Sequence, residues 1–576
     1  MPAVDREFDY LVPPALTDRV TVGTRVRVVL HGRRVGGWVV GEGGTAPDGV
    51  VCSPINRVSG PGPAPELIGL ARWAAWRWAG SVVSLLRTAS PDGAVVPPPA
   101  AASGVPGKPG VAAAAQAGPV VGGPEVDLAA EGLTLGRAVL QVPPAGDAYG
   151  VVASAAAHGP VLVVAPTQTE VAAVAARLRR AGRRVAVLPR DWGWAAAGGH
   201  DVVGTRAAAW GPAPDATAIV VLDGHDEGLR QEQAPTWNAW QIAAERAGQT
   251  GRPCLVVSAC PTLELLAWGR LLRPPRHAER EGWAPLEVLD ARGGDPREAR
   301  FPARLVNRLR AGGQAVVVLN RKGRARLLAC ATCGALVRCE ACGAAVESTS
   351  DGLSCRRCQA VRPAICLACG SQRLKLLRLG VGRVREELAA LVGEEVGEIT
   401  ADSASGPASR VVVGTEAALY RVPAAEVVVF LEFDRELLAP RYRAAEEALA
   451  LLARASRLVG GRTRGGQVVV QSRLPDHEVL DAARAADPGR LAAAEWPRRA
   501  ELRLPPEAAV AVVSGAAAEP YAEALLAAAI GGLEVLGPAD GRWLVRAPDH
   551  ELLCDALAAT ARPPGRLRIE VDPARA

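Results

Sequence analysis

The first 97 residues alternate apolar and polar positions, as in TRVRVVLHGRRVGGWVV, with Gly23, Gly32, Gly36 and Gly37 as turn signals. A period of two punctuated by glycine predicts a small β-rich domain. The helical pattern PELIGLARWAAWRWAG is expected to close that domain. The stretch PPPAAASGVPGKPGVAAAAQAGPVVGG, from Pro97 to Gly123, cannot build a core and reads as a flexible linker. From about Leu133 the pattern becomes strand–helix alternation. VLVVAP, RRVAVLP, AIVVLDGHD and CLVVSACP are strand candidates separated by amphipathic stretches such as TEVAAVAARLRRAG. Apolar runs alternating with amphipathic helices predict a parallel α/β sheet. A second series runs through QAVVVLNRKG, SRVVVGTEAAL, EVVVFLEFD and QVVVQSRLPDHEVLDAAR. Gly204-Thr205 and Gly414-Thr415 end an apolar run in each series, which suggests two related lobes. The tail from about Pro505 has strand–helix–strand character and predicts a small α+β domain.

Composition adds limits. A chain of 576 residues exceeds a single core and predicts three to five domains. No run approaches the roughly 20 apolar residues of a membrane span. The charged opening MPAVDREFDY lacks an apolar signal region, so a cytoplasmic protein with no membrane partner is expected. The net charge of +6 is mild, but its distribution is not. Between Arg321 and Arg383 twelve Lys/Arg face only Glu340, Glu347 and Asp351. Such a patch can neutralise phosphates, although its arginines could equally screen nearby thiolates.

Those thiolates are the strongest chemical signal. Eight of the twelve cysteines form four pairs, Cys330-x-x-Cys333, Cys339-x-x-Cys342, Cys355-x-x-Cys358 and Cys366-x-x-Cys369. A CxxC turn brings two sulfurs onto one tetrahedral ion, so four pairs supply two closed Cys₄ zinc sites per chain. Gly334, Gly343 and Gly370 each follow the second Cys of a pair, where a tight turn aims amide N–H groups at sulfur. Spacing leaves nested and sequential pairings equally open.

This combination of a β-rich start, two α/β lobes, four CxxC pairs inside the second lobe and a small final domain resembles the replication-restart primosomal helicase family, that of primosomal protein N-prime. FDYLVP at 8–13, GTRVRV at 23–28 and the LNRKG segment before the cysteines carry the likeness further. The resemblance implies a nested pairing: Cys330, Cys333, Cys366 and Cys369 on one zinc, and Cys339, Cys342, Cys355 and Cys358 on the other. It implies that the first domain receives a DNA 3′ end, with Phe8 stacking on a base and Asp9 bonding the terminal nucleotide. Core packing with a turn aspartate is the alternative for that tripeptide. Trp237 and Trp240 resemble an aromatic-rich loop that senses single-stranded DNA; a core helix stripe is their alternative. Arg356 and Arg357 are the candidate phosphate contacts of the zinc module. Arg443 and Glu446 match an R-x-x-E expected to form a buried ion pair.

The departures from the family are equally specific. Its phosphate-cradling G-x-x-x-x-G-K-T loop corresponds to VPPAGDAY, Val142 to Tyr149. Ala148 stands where lysine belongs and Tyr149 where threonine belongs. Pro143 and Pro144 remove two N–H donors, and Asp147 would repel phosphate. The DEEH box reads LDGH, with Leu222 in place of the first aspartate while Asp223 and His225 remain. Motif three reads SACP, and the arginine-rich sixth motif reads ASRLVGGR, with Arg457 at the first arginine and Gly460 at the second. The winged-helix domain of the family has only the linker in its place. Neither catalytic nor nucleotide-binding residues are therefore assigned.

The expected architecture is multidomain α/β. It comprises a 3′-DNA-end-binding β-rich domain (1–97), a linker (98–128) and a degenerate RecA-like helicase lobe (129–275). The second lobe is split into 276–329 and 371–500 around a zinc module (330–370), and 501–576 forms the C-terminal domain. The expected function is recognition of branched DNA and replication forks bearing a 3′ end, with primosome proteins, the replicative helicase or its loader, and single-strand-binding protein as partners. A working ATP-dependent 3′-to-5′ helicase, or a zinc-ribbon adaptor that binds no DNA, are the rival readings. Metal analysis of chelator-free protein should give two zinc ions per chain, lost together with unfolding of residues 330–369. Cys330→Ser should loosen Cys366 and Cys369 under nested pairing, and Cys339 and Cys342 under sequential pairing.

Overall fold

The computed structural model describes residues 5–43, 51–93, 95, 123–292, 301–319, 327–349, 352–376, 381–400, 403 and 409–574. Two sheets organise it. The first runs, in spatial order, through Arg270–Leu272, Arg137–Gln141, Cys254–Ser258, Ala218–Val221, Val161–Val164, Asp201–Gly204 and Val185–Val187. The second runs through Leu286–Asp290, Gln467–Ser472, Val427–Phe430, Ala315–Val318, Val411–Gly414 and Val396–Ile399. All pairings in both sheets are parallel. Their central strands are apolar at every position because helices cover both faces. These are the two parallel α/β lobes that the sequence pattern predicts.

The repeated Gly-Thr corner has a steric cause. Gly204 pairs with Val164 and Gly414 with Val318, so each closes the strand beside the second strand, in chain order, of its lobe. In both, the threonine carbonyl accepts from an alanine N–H three residues on, Ala208 and Ala418. A Cβ on Gly204 would meet the Ala208 methyl at 2.8 Å, and one on Gly414 would lie 1.9 Å from the Ile399 carbonyl oxygen. Only glycine fits where the chain turns this tightly.

In the N-terminal domain, Arg25–Leu30 and Arg33–Trp38 form an antiparallel hairpin, with Arg57–Gly60 on its other side. His31 and Gly32 both have positive φ, 47° and 75°, as a two-residue type I′ turn requires. The domain's own core is small: Val26, Val28 and Ile55, with Tyr10, Leu16, Val20, Val35 and Val39 against it.

Helix Pro65–Arg77 does not simply close this domain, as its sequence had suggested. It is apolar on more than one face, and a helix of that kind is buried among several partners. Leu67, Ile68, Leu70, Ala71 and Ala74 share one core with Trp210 and Ile242 of the first lobe and with Tyr521, Leu553 and Leu557 of the C-terminal domain. Polar contacts follow the same joints. Glu66 accepts from Arg246 at 2.7 Å, and Asp555 from the Trp76 indole at 2.8 Å. Asp572 accepts from Arg77 at 2.6 Å, bonds His550 at 2.8 Å and gives its carbonyl to Arg230 at 2.5 Å.

Two expected boundaries shift. Helix Pro124–Leu135 begins inside the segment read as linker, because Pro124 at its first turn and Gly136 at its left-handed end delimit it locally. Helix Pro488–Leu502 crosses residue 500 before the C-terminal sheet begins. That sheet is antiparallel, in the order Glu534–Ala539, Arg542–Ala547, Ala509–Ser514, Arg568–Val571, with helices Ala518–Ala527 and His550–Ala559. Most of the linker, 98–122, and the part of LNRKG from residue 320 lie outside the described residues.

Burial pushes the Asp572 carboxyl up, but His550 and Arg77 outweigh it and hold it well below the ordinary range. A depressed folded value contributes stability that is full above the unfolded carboxyl's pKa of about 4 and is lost as pH falls below it. Arg77→Ala should lower the first unfolding transition by about 3 kcal/mol at neutral pH, since Asp572 is left buried without its guanidinium. The difference from wild type should shrink on acidification below about pH 4, measured by chemical denaturation across that range.

Candidate functional sites in the cysteine module and between the lobes

The cysteine module sits between strand Ala315–Val318 and helix Val381–Val392. It is four copies of one local turn. Cys330, Cys339, Cys355 and Cys366 each accept, through the carbonyl, an N–H from the residue after the next cysteine: Gly334, Gly343, Gln359 and Gly370, at 2.7–3.0 Å. All four donor residues have positive φ, between 62° and 74°. Glycine supplies that conformation at three turns; Gln359, not marked in the sequence, adopts it at the fourth.

The four turns bring the sulfurs into two groups. Cys330, Cys333, Cys366 and Cys369 form one, and Cys339, Cys342, Cys355 and Cys358 the other, with all sulfurs of a group within 4.8 Å. This is the nested arrangement. The nearest sulfurs are 3.4–3.6 Å apart. A tetrahedral ion with bonds of about 2.3 Å sets sulfurs roughly 3.8 Å apart, so each group fits one such ion. Amide hydrogen bonds from Cys333 and Thr332 help hold the Cys330 thiol down to about 6, favouring the thiolate a metal needs.

The nearby arginines divide. Arg356 is exposed and pairs with Glu347 at 2.8 Å. Arg357 is partly buried; desolvation lowers its pKa, Cys342 and Cys355 oppose that, and the nearby Arg498 and Arg499 add to it.

The cleft between the lobes is where the segments 142–149, 222–225 and 455–462 meet. Pro143 and Pro144 carry no N–H. The Ala145 N–H bonds the Gly282 carbonyl at 3.0 Å, and the Gly146 N–H bonds Pro143 at 2.8 Å. Tyr149 and Gly150 N–H groups turn to Asp147. Most donors that would cradle a phosphate are thus already engaged. Asp147 itself is gripped by Arg177 through two 2.6 Å bonds, and Arg177 also lies 3.9 Å over the Tyr149 ring. The Arg177 hydrogen bonds hold Asp147 below its ordinary pKa despite partial burial.

Arg457, from the second lobe, crosses this cleft. Its guanidinium bonds both Asp223 oxygens at 2.5 and 2.7 Å, the Pro144 carbonyl at 3.0 Å and Glu170 at 3.4 Å. Arg454, one turn earlier, also reaches Glu170 at 3.0 Å. Burial would raise the Asp223 carboxyl, but Arg457 holds it below the usual range. His225 bonds the Ser258 hydroxyl at 2.9 Å, and burial lowers it to about 4, so it is neutral at pH 7. Gly460 only terminates the helix, in a left-handed conformation. Glu170 and Arg454 were not singled out in the sequence, although a Thr167-x-x-Glu170 capping box and the i,i+3 spacing of Arg454 and Arg457 could have flagged them.

A second ionic seam lies deeper. Arg443 and Glu446 do not pair with one another: Arg443 bonds Glu264 of the first lobe at 2.8 Å, and Glu446 bonds Arg499 and caps the Leu263 N–H at 2.8 Å. Helix geometry sets the two side chains beside different partners, which outcompete a mutual bond.

The aromatic-loop reading is corrected. Trp237 is 3% exposed against Trp210, and Trp240 is 6% exposed against Trp268, with rings edge-on at 5.9 and 5.7 Å. Packed into the lobe's core, neither offers a face to a base.

The opening tripeptide is laid out differently. Tyr10 anchors it, its hydroxyl donating to the Val29 carbonyl at 3.1 Å, while Phe8, 46% exposed, and Asp9 face solvent. No helix among the described residues is long and apolar enough to cross a membrane.

Comparison with known proteins places these features in one lineage. Residues 1–91 match the 3′ DNA-binding domain (3′BD) family of PriA. A probable replication restart protein PriA of Mycobacterium tuberculosis is 30% identical over 565 residues, covering 90% of this chain and 86% of that protein. The Mycobacterium leprae protein is 30% identical over 95% of this chain and 91% of its own length. The Bacillus subtilis replication restart protein PriA is 26% identical over 54% of this chain. Among solved structures, a DEAD box protein from Methanococcus jannaschii aligns with a TM-score of 0.30 and 11% identity over 63% of this chain. With that identity sustained along most of both mycobacterial relatives, and a 3′ DNA-binding domain at its start, the chain belongs to the replication restart protein PriA family.

Proposed function

We propose that this protein recognises branched DNA and stalled replication forks through a free 3′ end, and recruits the replicative helicase or its loader without hydrolysing ATP. Primosome proteins and single-strand-binding protein would be its other partners. The observation that carries the ATP-independent part is the Asp223–Arg457–Glu170 bridge across the cleft. Groups that in a working motor would face nucleotide here bind each other, beside a loop whose amides are largely engaged. Triphosphate entering there would meet no lysine, and an Asp147–Arg177 pair that leaves no net positive charge to neutralise it.

DNA recognition would be shared. Phe8 and Asp9 are exposed on the 3′ DNA-binding domain, suited to stacking on a terminal base and bonding its hydroxyl. Arg356, held only by a surface ion pair, could exchange Glu347 for phosphate. Both Cys₄ groups would hold zinc, which all-thiolate tetrahedral sites favour. Bound there, zinc would hold the small module folded; its role is structural.

Titration with ATP·Mg²⁺ should show no saturable binding, and DNA should stimulate no hydrolysis. Ala148→Lys alone should not change this, because the prolines and engaged amides remain. Turnover abolished by Asp223→Asn would overturn the reading. On forks, Asp9→Ala should erase discrimination between a 3′-hydroxyl and a blocked end while leaving overall affinity within a few-fold. Intact discrimination in that variant would remove the end-reading role from Asp9.

A further inference from the structure

Of the chain's thirteen tryptophans, Trp194 alone is exposed, at 42%. It belongs to the short helix Trp192–Ala197, at the outer edge of the first lobe. Trp192, two residues earlier, points the other way and is 8% exposed in the core. Residues two apart on a helix face opposite sides, so Trp192 anchors the helix and Trp194 is left outward. Nothing in the packing explains so large an apolar ring in solvent.

Its surroundings are cationic. The helix follows Val185–Val187, the last strand of the seven-stranded sheet, whose outer side has no strand neighbour among the described residues. Arg179 donates to the Val185 carbonyl at 3.2 Å along that side. Arg184, just before the strand, lies over the Gly198-Gly199 turn: its guanidinium is 3.1 Å from where a Gly199 Cβ would be. The next residue, His200, packs its ring edge-on to Trp194 at 5.6 Å. Arg179 and Arg184 are exposed and have no ion-pair partner among the described residues, whereas Arg190 holds only Asp191 at the surface. Asp201 is buried on Arg183, and Asp215 is turned to the Gly199 N–H. An exposed aromatic face beside two guanidinium groups without a direct ion pair, with Asp191 the carboxylate nearest Arg179, matches the chemistry of a single nucleic-acid strand, with a base on the ring and phosphates on the arginines.

We propose that this edge, with Trp194 as a stacking platform and Arg179 and Arg184 as phosphate contacts, is a second binding site for single-stranded DNA, separate from the 3′-end domain. The proposal extends the DNA-binding reading above, and the test keeps the two apart.

The probe is a thymidine oligonucleotide carrying a 3′ phosphate, so that end recognition is silenced, measured with the full chain. Trp194→Ala should weaken binding about tenfold, the effect of removing one base–aromatic stack, while Trp194→Phe retains most of it. Arg179→Gln with Arg184→Gln should flatten the salt dependence by about 0.7 for each phosphate no longer neutralised. Unchanged thermal unfolding of these surface variants establishes that they fold. Photocrosslinking of an iodouridine oligonucleotide should map to the peptide containing Trp194. Wild-type affinity in Trp194→Ala, or a crosslink confined to the N-terminal domain, overturns this site but leaves the 3′-end reading intact. Absence of any DNA binding by the wild-type chain overturns both.

Discussion

A carboxylate taken out of water must find a cation to replace it, and Asp223 finds Arg457, itself a third exposed, across a gap between two lobes. Asp223 supplies a bidentate carboxylate, Glu170 a second charge and Pro144 a carbonyl. In a desolvated cleft such a pair is strong in attraction and costly to break on one side only. The lobes are therefore joined by side chains across the cleft. The deeper seam of Glu264, Arg443, Glu446 and Arg499 repeats the arrangement a few turns away, with Arg499 almost wholly buried.

The same rule governs the junction of the outer domains. The N-terminal sheet has too small a core to stand far from the rest of the protein. Helix Pro65–Arg77 solves this by belonging to two other domains as much as to its own, with Arg77 and Asp572 closing the joint. A 3′ DNA-binding domain held in this way has its proposed reading surface, Phe8 and Asp9, fixed relative to the lobes. Under the proposed function, position rather than motion driven by hydrolysis is what the protein offers a fork.

The cysteine module reaches order by another route. Its interior is a handful of apolar side chains, Leu328, Val337, Ala344, Val346 and Leu353, beside Cys339 and Cys355. Four repeated turns converge their sulfurs without help from a large core. The basic residues of the segment are less uniform than their number suggests. Arg356 meets solvent, Arg357 is partly buried, and Arg362 bonds carbonyls of Ile365 and Arg338.

What local chemistry governs was readable in the chain itself. Valine runs alternating with amphipathic stretches pointed to strands covered on both faces, four CxxC pairs in a row to metal knuckles, and the Gly-Thr corners to equivalent turns in two lobes, where glycine is what fits. That residues 142–149 offer no lysine and two prolines was equally plain, being a matter of which atoms are present. Tertiary structure decided what depends on partners distant in sequence. Trp237 and Trp240 look alike on paper to any stacking pair, and only Trp210 and Trp268 arriving from elsewhere made them core. Arg443 and Glu446 sit at ion-pair spacing, yet Glu264 and Arg499 reached them first. Nothing local foretold that Arg457 would meet Asp223 from 234 residues away. Spacing constrains only what neighbours can do, and a buried charge is satisfied by whichever group folding brings to it.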